Sequence, residues 1–467
     1  MNTLTPPRVG LLPFYLKLYD DLMPESRAGF DAFLQRIMEG FRARGIEVVC
    51  APACRVESEF KAALLDFENQ VDAVVSLHLA YSPSLESIDA FVQSEVPLIL
   101  LDTTMDEDFG LSVPASRIMF NHGVHGVMDF ACMLRRRKRP FEIVAGHERN
   151  PRLLDRAAAL VRAVIAAREF RGSRALRVGP ASEGMGDFSV DASLLRRHFG
   201  IEVSEVGIDA LDEAIAKVSE SAVEEEMASD RSRFDCELSK EAHRYSTRVG
   251  LGLRRLIDDG GYGAMSVNFQ AFDSAERPAC AMPFLEISKS MARGIGYGGE
   301  GDVLTATLVG SLARAFEAVT FTEIFCADWA GNALFLSHMG EISPSVAAGR
   351  PRVIAKPFFS GGSRDPAQLV CAVKPGPAVL VNLAPGPDDT FTLIAAPVEV
   401  MAEGDSLDPA MRNAIRAWVR PQLGVVDFLE AYSKAGGTHH SALVLGGHTE
   451  AVIALGRRLG IGVLRIG

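Results

Sequence analysis

The segment AVVSLHLAYSPSLESIDAFVQSEVPLILLD, residues 73–102, contains the repeating unit from which the fold can be predicted. Two apolar runs, AVVSLHL (73–79) and PLILLD (97–102), flank SLESIDAFVQS (84–94), in which the apolar residues recur at helical spacing. Strands that are apolar along their whole length occur in parallel sheets covered by helices on both faces. The segment therefore predicts a strand–helix–strand unit of an α/β domain.

The same alternation continues on both sides of this segment. Upstream, the apolar runs VGLLPFY (9–15) and EVVCAPA (47–53) are each followed by a helical pattern, and FEIVAGH (141–147) lies downstream. The polar stretch REFRGSR (168–174) then interrupts the pattern. These features predict an N-terminal Rossmann-like domain, with a doubly wound parallel sheet, over residues 1–172.

Two further domains are predicted from the remaining pattern. Residues 173–318 repeat the alternation of apolar runs and helices, which predicts a second Rossmann-like α/β domain. Residues 319–467 instead contain alternating strands such as TFTEIFCADW (320–329), with Gly, Pro and Asp at the joins. Alternation with short turns is typical of antiparallel strands. This part is therefore predicted to be an antiparallel β-barrel-like domain, or a sandwich, with a few helices near its end.

Composition and charge limit the classes of partner. The 467 residues are 48% hydrophobic and carry a formal net charge of −12, whereas nucleic acids and anionic membranes bind clustered Lys and Arg. We therefore predict neither nucleic acid nor membrane as a partner. The seven cysteines are scattered without zinc-knuckle spacing, and no apolar run of about 18 residues, the length that spans a membrane, occurs. Both features predict a reduced, cytoplasmic protein.

The stretch GIGYGGEGD, residues 294–302, contains the G-x-G-x-x-G spacing of a dinucleotide-binding loop. Such a loop needs a strand before its first glycine and a helix on its last one. Here residues 283–293 have helical spacing, and the next helical pattern begins only after Asp302. We therefore interpret the match as accidental and the glycines as a cradle that lets the backbone approach closely around a carboxylate. Asp302 suits the N-cap of the following helix, which leaves Glu300 without a structural role.

Other acidic and imidazole side chains could join Glu300. Glu323 lies in a strand pattern that would otherwise favour a neutral residue, His338 ends the next strand, and His439 and His440 stand between glycines and an apolar run. Such carboxylates and imidazoles suit Mn²⁺, Co²⁺ or Mg²⁺ in an open octahedral site better than a closed zinc site. Taken singly, Glu323 could instead pair with an arginine, His338 could be an ordinary strand-end histidine, and the histidine pair could form a polar turn.

Four motifs resemble the L-arabinose isomerase branch of the L-arabinose/L-fucose isomerase superfamily. They are GEGD (299–302), TFTEIF (320–325), SHMGEISPS (337–345) and GGTHHS (436–441), in the order that the family has. AVVSLHLAYSPS and NHGVHGVMDF are similar to further family motifs. The resemblance covers most of the chain and implies two Rossmann-like domains followed by an antiparallel β domain, in agreement with the pattern.

The resemblance implies an enzyme that interconverts a free, unphosphorylated aldose and its ketose through a cis-enediol. It implies Mn²⁺ as the cofactor, with Co²⁺ or Mg²⁺ as alternatives, bound by Glu300, Glu323, His338 and His440. Both glutamates would be catalytic: one removes a proton from the sugar carbon, and the other manages the hydroxyl protons.

The resemblance also implies sugar contacts and an assembly. The sugar contacts would come from His125, Phe269, Phe325 and His439. Members of the family assemble as homo-hexamers whose active sites lie between subunits. By this analogy His125 would reach the sugar of a neighbouring subunit.

Three positions depart from the family pattern. Leu16 occupies the place of a glutamine that touches the sugar, His122 stands where a glutamine is usual, and Phe325 replaces a tyrosine. The family's metal ligands are all present in this sequence, whereas some of its sugar contacts are replaced. The resemblance therefore defines the type of reaction more closely than the substrate. Besides L-arabinose, a sugar of the L-fucose or D-arabinose kind and an unusual pentose or tetrose remain open. So do a non-catalytic sugar-binding homologue and a metal-dependent hydrolase or lyase.

Overall fold

The computed structural model describes residues 6–358, 362–404 and 407–467. The chain forms two compact units, Thr5–Ile165 and Ala166–Gly467, and the division lies inside the helix Pro151–Phe170. The boundary predicted after residue 318 lies within the second unit. The three-domain division with boundaries after residues 172 and 318 stays a prediction.

The N-terminal unit is built on a parallel sheet. Its strands are β1 (Arg8–Phe14), β2 (Glu47–Cys50), β3 (Ala73–His78), β4 (Leu98–Asp102) and β5 (Glu142–Ala145). Its helices are α1 (Lys17–Leu22), α2 (Asp31–Arg42), α3 (Glu57–Phe67), α4 (Ile88–Gln93), α5 (Gly123–Arg136) and α6 (Pro151–Phe170). The order β2-β1-β3-β4-β5, with every neighbouring pair parallel, is a doubly wound order.

Both faces of this sheet are buried, as the apolar strands predict. Phe60 of α3, Phe91 of α4 and Phe130 of α5 pack in one core with Leu12 of β1. Leu11 points to the opposite face, because side chains alternate along a strand, and it is equally buried. Burial on both faces explains why β1 and β3 are apolar apart from Arg8, Ser76 and His78.

The first part of the second unit is a further parallel α/β layer. Its strands are β6 (Arg174–Val178), β7 (Glu202–Val206), β8 (Asp235–Glu237), β9 (Ala264–Val267) and β10 (Gly296–Gly299). Its helices are α7 (Ala192–Phe199), α8 (Ile208–Ala216), α9 (Glu220–Arg233), α10 (Lys240–Gly260), α11 (Phe284–Met291) and α12 (Val303–Ala315). The sheet order is β10-β9-β6-β7, all parallel. Within the described ranges, no helix has the length and apolarity that crossing a membrane requires.

The C-terminal part contains a closed barrel. Its strands are β11 (Val319–Asp328), β12 (Ala333–Ser337), β13 (Arg352–Ala355), β14 (Ala367–Val370), β15 (Gly376–Pro385), β16 (Phe391–Val400), β17 (Ala417–Pro421), β18 (His440–Leu445) and β19 (Gly462–Arg465). Helices α13 (Val425–Lys434) and α14 (Thr449–Leu459) lie near its end. Six strands pair antiparallel in the order β15-β18-β11-β12-β17-β16, and β16 closes the barrel on β15. The predicted fold class is therefore confirmed.

Three strands of the C-terminal part lie outside the six-stranded barrel: β19, which pairs parallel with β16, and β13 and β14, which belong to another sheet. β13 and β14 pair antiparallel, and β13 also pairs parallel with β8 of the α/β layer. The alternating pattern predicts both as strands but does not reveal that they form a separate three-stranded sheet. This sheet connects the α/β layer with the C-terminal part through backbone hydrogen bonds.

The glycine-rich stretch is itself a strand, β10, between the predicted helix α11 and the predicted start of α12. A Cβ atom placed on Gly296 would lie 1.8 Å from the carbonyl oxygen of Ala306, and one on Gly298 would lie 2.3 Å from that of Asp302. α12 therefore packs directly on the backbone of β10. These two glycines serve the close approach of α12, and a helix lies before Gly294 where a dinucleotide-binding loop would need a strand.

We predict that Gly296→Ala destabilises the fold, because the added methyl group collides with backbone that cannot rotate away. Overpacking of this kind costs about 1–3 kcal/mol or more, so thermal unfolding followed by circular dichroism should occur several degrees lower. Gly349→Ala is the control, since a Cβ there would have no atom within 4 Å. Equal melting temperatures for the two variants would contradict this packing.

Candidate metal centre

Glu300 is held in a constrained loop between β10 and α12. Its φ of +60° is in the left-handed region, which non-glycine residues rarely adopt. Its carbonyl oxygen accepts a hydrogen bond of 2.9 Å from the backbone N–H of Ser182, and the next N–H, of Gly301, donates to Ser266 Oγ over 2.8 Å. Residues held in such strained conformations cluster at functional sites, and here the neighbouring backbone keeps the carboxylate in place.

The barrel register brings three further side chains together. Glu323 on β11 is directly opposite His440 on β18 and directly opposite Ser337 on β12, which precedes His338. Three adjacent strands thus bring one carboxylate and two imidazoles to the same end of the barrel. Because directly opposite residues on neighbouring strands have their side chains on the same face, the register explains the contact between Glu323 and His440, whereas His338 follows the end of β12.

The side chains of this cluster are within bonding distance of one another. Glu323 Oε1 lies 2.9 Å from His338 Nε2 and 3.0 Å from His440 Nε2. Glu300 Oε2 lies 3.5 Å from the same His440 Nε2. The structure therefore brings together all four predicted ligands. Glu323 faces two imidazoles here and not an arginine.

A second carboxylate stands behind each of the two imidazoles. His338 Nδ1 bonds to Glu341, and His440 Nδ1 bonds to Asp302 Oδ2 over 2.9 Å. Both carboxylates are fully buried. Metal-binding histidines commonly donate their other ring N–H to a carboxylate in this way, which fixes the ring and its tautomer. Each Nε2 atom is thereby turned toward Glu323.

Asp302 has two roles, of which the sequence reveals one. Its Oδ1 atom caps α12 by accepting a hydrogen bond of 2.8 Å from the N–H of Thr305, as predicted. Its Oδ2 atom accepts from His440, far away in the chain. Glu341 lies in the motif SHMGEISPS, but nothing in its local sequence indicates that it supports His338.

The charges of the cluster favour positive charge at its centre. Burial alone would raise the pKa of Glu300, but the imidazoles of His439 and His440 lower it to about 2. Burial would also lower the pKa of both buried imidazoles, yet Glu341 and Glu323 raise that of His338 to about 10, and Asp302 and the two glutamates raise that of His440 to about 11. The carboxylates therefore stabilise positive charge where the Nε2 atoms meet.

The donor set fits a divalent metal ion. Glu300, Glu323, His439 and His440 offer ligand atoms that all lie within 4.8 Å of one another, and His338 Nε2 adjoins Glu323. In the described part of the chain, His440 Nε2 is buried and lacks a well-aligned hydrogen-bond partner, as an atom reserved for a metal would. Carboxylate oxygens with imidazole nitrogens suit Mn²⁺, Co²⁺ or Mg²⁺.

His439 lies at the rim of the cluster. Its side chain is 41% exposed, whereas that of His440 is fully buried. Its Nδ1 and Asp187 Oδ2 are 2.6 Å apart, and its Nε2 is 3.9 Å from Glu300 Oε2. Phe188 stacks on His440 with ring centroids 4.6 Å apart. Sequence reasoning missed Asp187 and Phe188, because neither has a local pattern that sets it apart.

The remaining predicted sugar contacts occupy different places. Phe325 is the extra residue of a β-bulge in β11, and its ring lies 6.3 Å from that of His338. Bulges next to active sites commonly redirect a side chain. Phe269 lies in the turn after β9 and contacts Phe358. His125 is exposed in the first turn of α5, in the N-terminal unit. Their roles toward a sugar stay predictions.

Together, fold and site define a class of protein in which a parallel α/β layer and a closed antiparallel barrel carry a candidate metal centre of glutamates and histidines.

Two protein-family models match the chain. The family model of the L-arabinose isomerase C-terminal domain matches residues 318–461, and the family model of the L-arabinose isomerase central domain matches residues 189–317. The matches span more than half of the chain. The chain belongs to the L-arabinose isomerase family, and the predicted resemblance is confirmed.

Relatives along most of the chain support this membership. L-arabinose isomerase of Nocardioides sp. (strain ATCC BAA-499 / JS614) is 29% identical over 85% of this chain and 81% of its own length. That of Geobacillus kaustophilus is 29% identical over 84% of this chain and 80% of its own length. A solute binding protein of Actinobacillus succinogenes with bound D-allose covers 66% of this chain and 91% of its own at 12% identity, with a TM-score of 0.18, which is too low to bear on the fold.

We predict that Asp302→Asn weakens binding of a divalent metal ion, for which Mn²⁺ is the probe, without unfolding the protein. The aspartate uses one oxygen for Thr305 and the other for His440, whereas an asparagine has a single acceptor oxygen and cannot serve both. Loss of such a supporting carboxylate typically weakens metal binding about 10–100-fold, measurable by titration calorimetry. Asp191→Asn is a matched control, since Asp191 caps α7 through one oxygen only. Equal Mn²⁺ affinity in both variants would contradict the prediction.

Proposed function

We propose that the protein is a metal-dependent aldose–ketose isomerase that acts on a free sugar. One observation carries the proposal: the carboxylates of Glu300 and Glu323 both lie within 3.5 Å of the Nε2 atom of a buried, carboxylate-supported His440. A protein that only bound sugar would not need two carboxylates that can exchange protons. Membership of the L-arabinose isomerase family supports the same reaction. It also makes the alternatives, a non-catalytic homologue or a hydrolase, the less supported ones.

The two glutamates have the fixed positions that proton transfer requires. A divalent cation, when bound, supplies Lewis acidity that makes the C2 proton of the sugar easier to remove. Glu300 in its strained loop and Glu323 on β11 keep constant positions relative to C1 and C2. One takes the proton from C2 and returns it to C1, while the other carries a hydroxyl proton from O2 to O1. The aldose becomes a ketose through a cis-enediol, with no external oxidant or reductant.

We propose Mn²⁺ as the cofactor, with Co²⁺ or Mg²⁺ as alternatives. The ligands would be Glu300, Glu323, His338 and His440. His338 is favoured over His439 because its side chain is only 7% exposed and its Nδ1 bonds to the buried Glu341. A buried, supported imidazole keeps the geometry that a metal ion demands, whereas an exposed one at the rim is free to contact a substrate.

The sugar itself is less closely defined. Leu16, next to α1, offers no hydrogen bond where the family has a glutamine. His122 Nε2 and Tyr19 OH are 2.9 Å apart, so the histidine contacts a neighbour in its own unit. These changes weigh against L-arabinose as the substrate, because side chains that would contact it differ. A sugar of the L-fucose or D-arabinose kind, or an unusual pentose or tetrose, is the second candidate.

We further propose a homo-hexamer in which His125 enters the site of an adjacent subunit, and that subunit supplies the other predicted sugar contacts, Phe269, Phe325 and His439. Exposed apolar side chains in the segments that follow β1 and β4 support an interface there, namely Leu18, Leu22, Phe109, Leu111 and Ile118. Such a concentration on one part of a unit is typical of a contact surface. The seven free thiols fit the proposed cytoplasmic location.

The proposed reaction is tested with a panel of free aldoses and Mn²⁺, with ketose formation followed by NMR. We expect ketose from at least one pentose, no turnover after chelation, and almost none in Glu300→Gln or Glu323→Gln. Glutamine still offers an oxygen to the metal but accepts no proton. A glutamine variant that still binds the metal but has no turnover would show that the variant is folded and that the lost activity is due to the missing proton acceptor. Absence of ketose from every aldose, with Mn²⁺ bound, would favour the non-catalytic alternative.

The shared site is tested by mixing two inactive proteins, His125→Ala and Glu300→Gln. After dissociation and reassembly, some sites would receive wild-type residues at both positions, so part of the activity should return. Mixing two batches of Glu300→Gln is the control and should restore none. An active monomer in light scattering, or no recovery from confirmed mixed oligomers, would assign the whole site to one chain.

A further inference from the structure

Asp187 contacts the rim of the metal centre from a different part of the fold. It lies in the loop between β6 and α7, and a single atom, Oδ2, accepts two hydrogen bonds from His439: one of 2.9 Å from the backbone N–H and one of 2.6 Å from Nδ1. The first bond fixes the backbone at His439, and the second fixes the ring. Because Nδ1 carries a proton that it donates to Asp187, Nε2 is the ring nitrogen of His439 that can form a hydrogen bond with a ligand.

The pair Asp187–His439 has the same carboxylate–imidazole arrangement as the two pairs at the buried centre, but it is partly exposed to solvent. Each of His338, His439 and His440 has a carboxylate on Nδ1. The two inner pairs are buried, whereas the side chains of His439 and Asp187 are 41% and 38% exposed. A metal ligand is usually enclosed, and an imidazole at the mouth of a site meets the substrate. The outer pair is therefore suited to a ligand that enters from solvent.

His439 Nε2 and Glu300 Oε2 face each other at a distance that a hydroxyl group could bridge from one side. Nε2 lies 3.9 Å from Glu300 Oε2, which is too far for a direct hydrogen bond. An oxygen to one side of the line that joins these atoms could lie within hydrogen-bond distance of both. Phe188 narrows the same region, because its ring stacks on His440 and its centroid is 5.4 Å from that of His439. The loop 187–188 thus fixes both histidines of the pair.

We propose that Asp187 is a positioning residue that holds His439 so that Nε2 forms a hydrogen bond with a hydroxyl group of an open-chain polyol or aldose. This inference rests on the proposed isomerase function, because it concerns the sugar of that same site. Asp187 does not touch the sugar itself. It acts through His439, and the metal ligands do not depend on it.

The test uses Asp187→Ala and Asp187→Asn in the full-length protein. Removal of the carboxylate should raise KM for the aldose about 10-fold with kcat nearly unchanged, and weaken binding of a pentitol by a similar factor in calorimetry. Asparagine should behave almost as wild type, because its one acceptor oxygen can take both hydrogen bonds. Asp191→Ala, in the same part of the chain but without contact to His439, should leave both constants unchanged.

A double-mutant cycle separates positioning from a general structural effect. In a His439→Ala background, Asp187→Ala should have no further effect on pentitol binding, because the two changes remove the same hydrogen bond to the sugar. Additive losses would overturn the inference. So would Mn²⁺ affinity that falls in Asp187→Ala as far as in Asp302→Asn, since His439 would then be a metal ligand. Wild-type protein that binds the pentitol but isomerises no aldose would count against the proposed function and leave this measurement intact.

Discussion

Mutual stabilisation of four carboxylates and two imidazoles at one end of the barrel is the interaction on which the rest of the site depends. Asp302, Glu300, Glu323 and Glu341 surround His338 and His440, and all six side chains are largely buried. Carboxylates buried so closely would repel one another, so positive charge on or between the imidazoles is required to keep them ionised. Protons or a metal ion can supply that charge. The need to balance the charge of these carboxylates therefore favours a positively charged ligand at the centre.

This demand explains features that would otherwise be costly. The left-handed backbone at Glu300 and the packing of α12 on a strand of glycines are both unfavourable locally. Together they bring Asp302 to the N-terminus of α12 and Glu300 to the barrel mouth at once. The short loop between β10 and α12 thus brings both Glu300 and Asp302 next to His440, Glu300 at Nε2 and Asp302 at Nδ1. Residues with side chains in place of these glycines would separate α12 from β10 and move both acids.

Local features were predictable from the sequence, and long-range ones were not. Alternating apolar runs predict the parallel layers and the barrel strands, and helical spacing before Gly294 rules out the dinucleotide loop. Asp302 was recognised as a cap because capping is decided within a few residues. Its bond to His440, by contrast, depends on strand pairing between distant segments. Asp187 and Phe188 lie in a loop without periodicity, so only the folded chain reveals their contact with the histidines.

The three-stranded sheet of β14, β13 and β8 means that the barrel cannot be separated from the α/β layer without loss of shared contacts. β8 precedes the barrel in sequence, yet it supplies the parallel neighbour of β13, and Phe234 and Leu285 of the α/β layer are part of the hydrophobic core around the barrel strands. A fragment beginning at residue 319 would expose the hydrogen-bonding edge of β13 and leave part of that core uncovered, which promotes aggregation. Exchange of the barrel alone between relatives would therefore break this shared sheet and core, so a working chimaera would have to exchange the α/β layer and the barrel together.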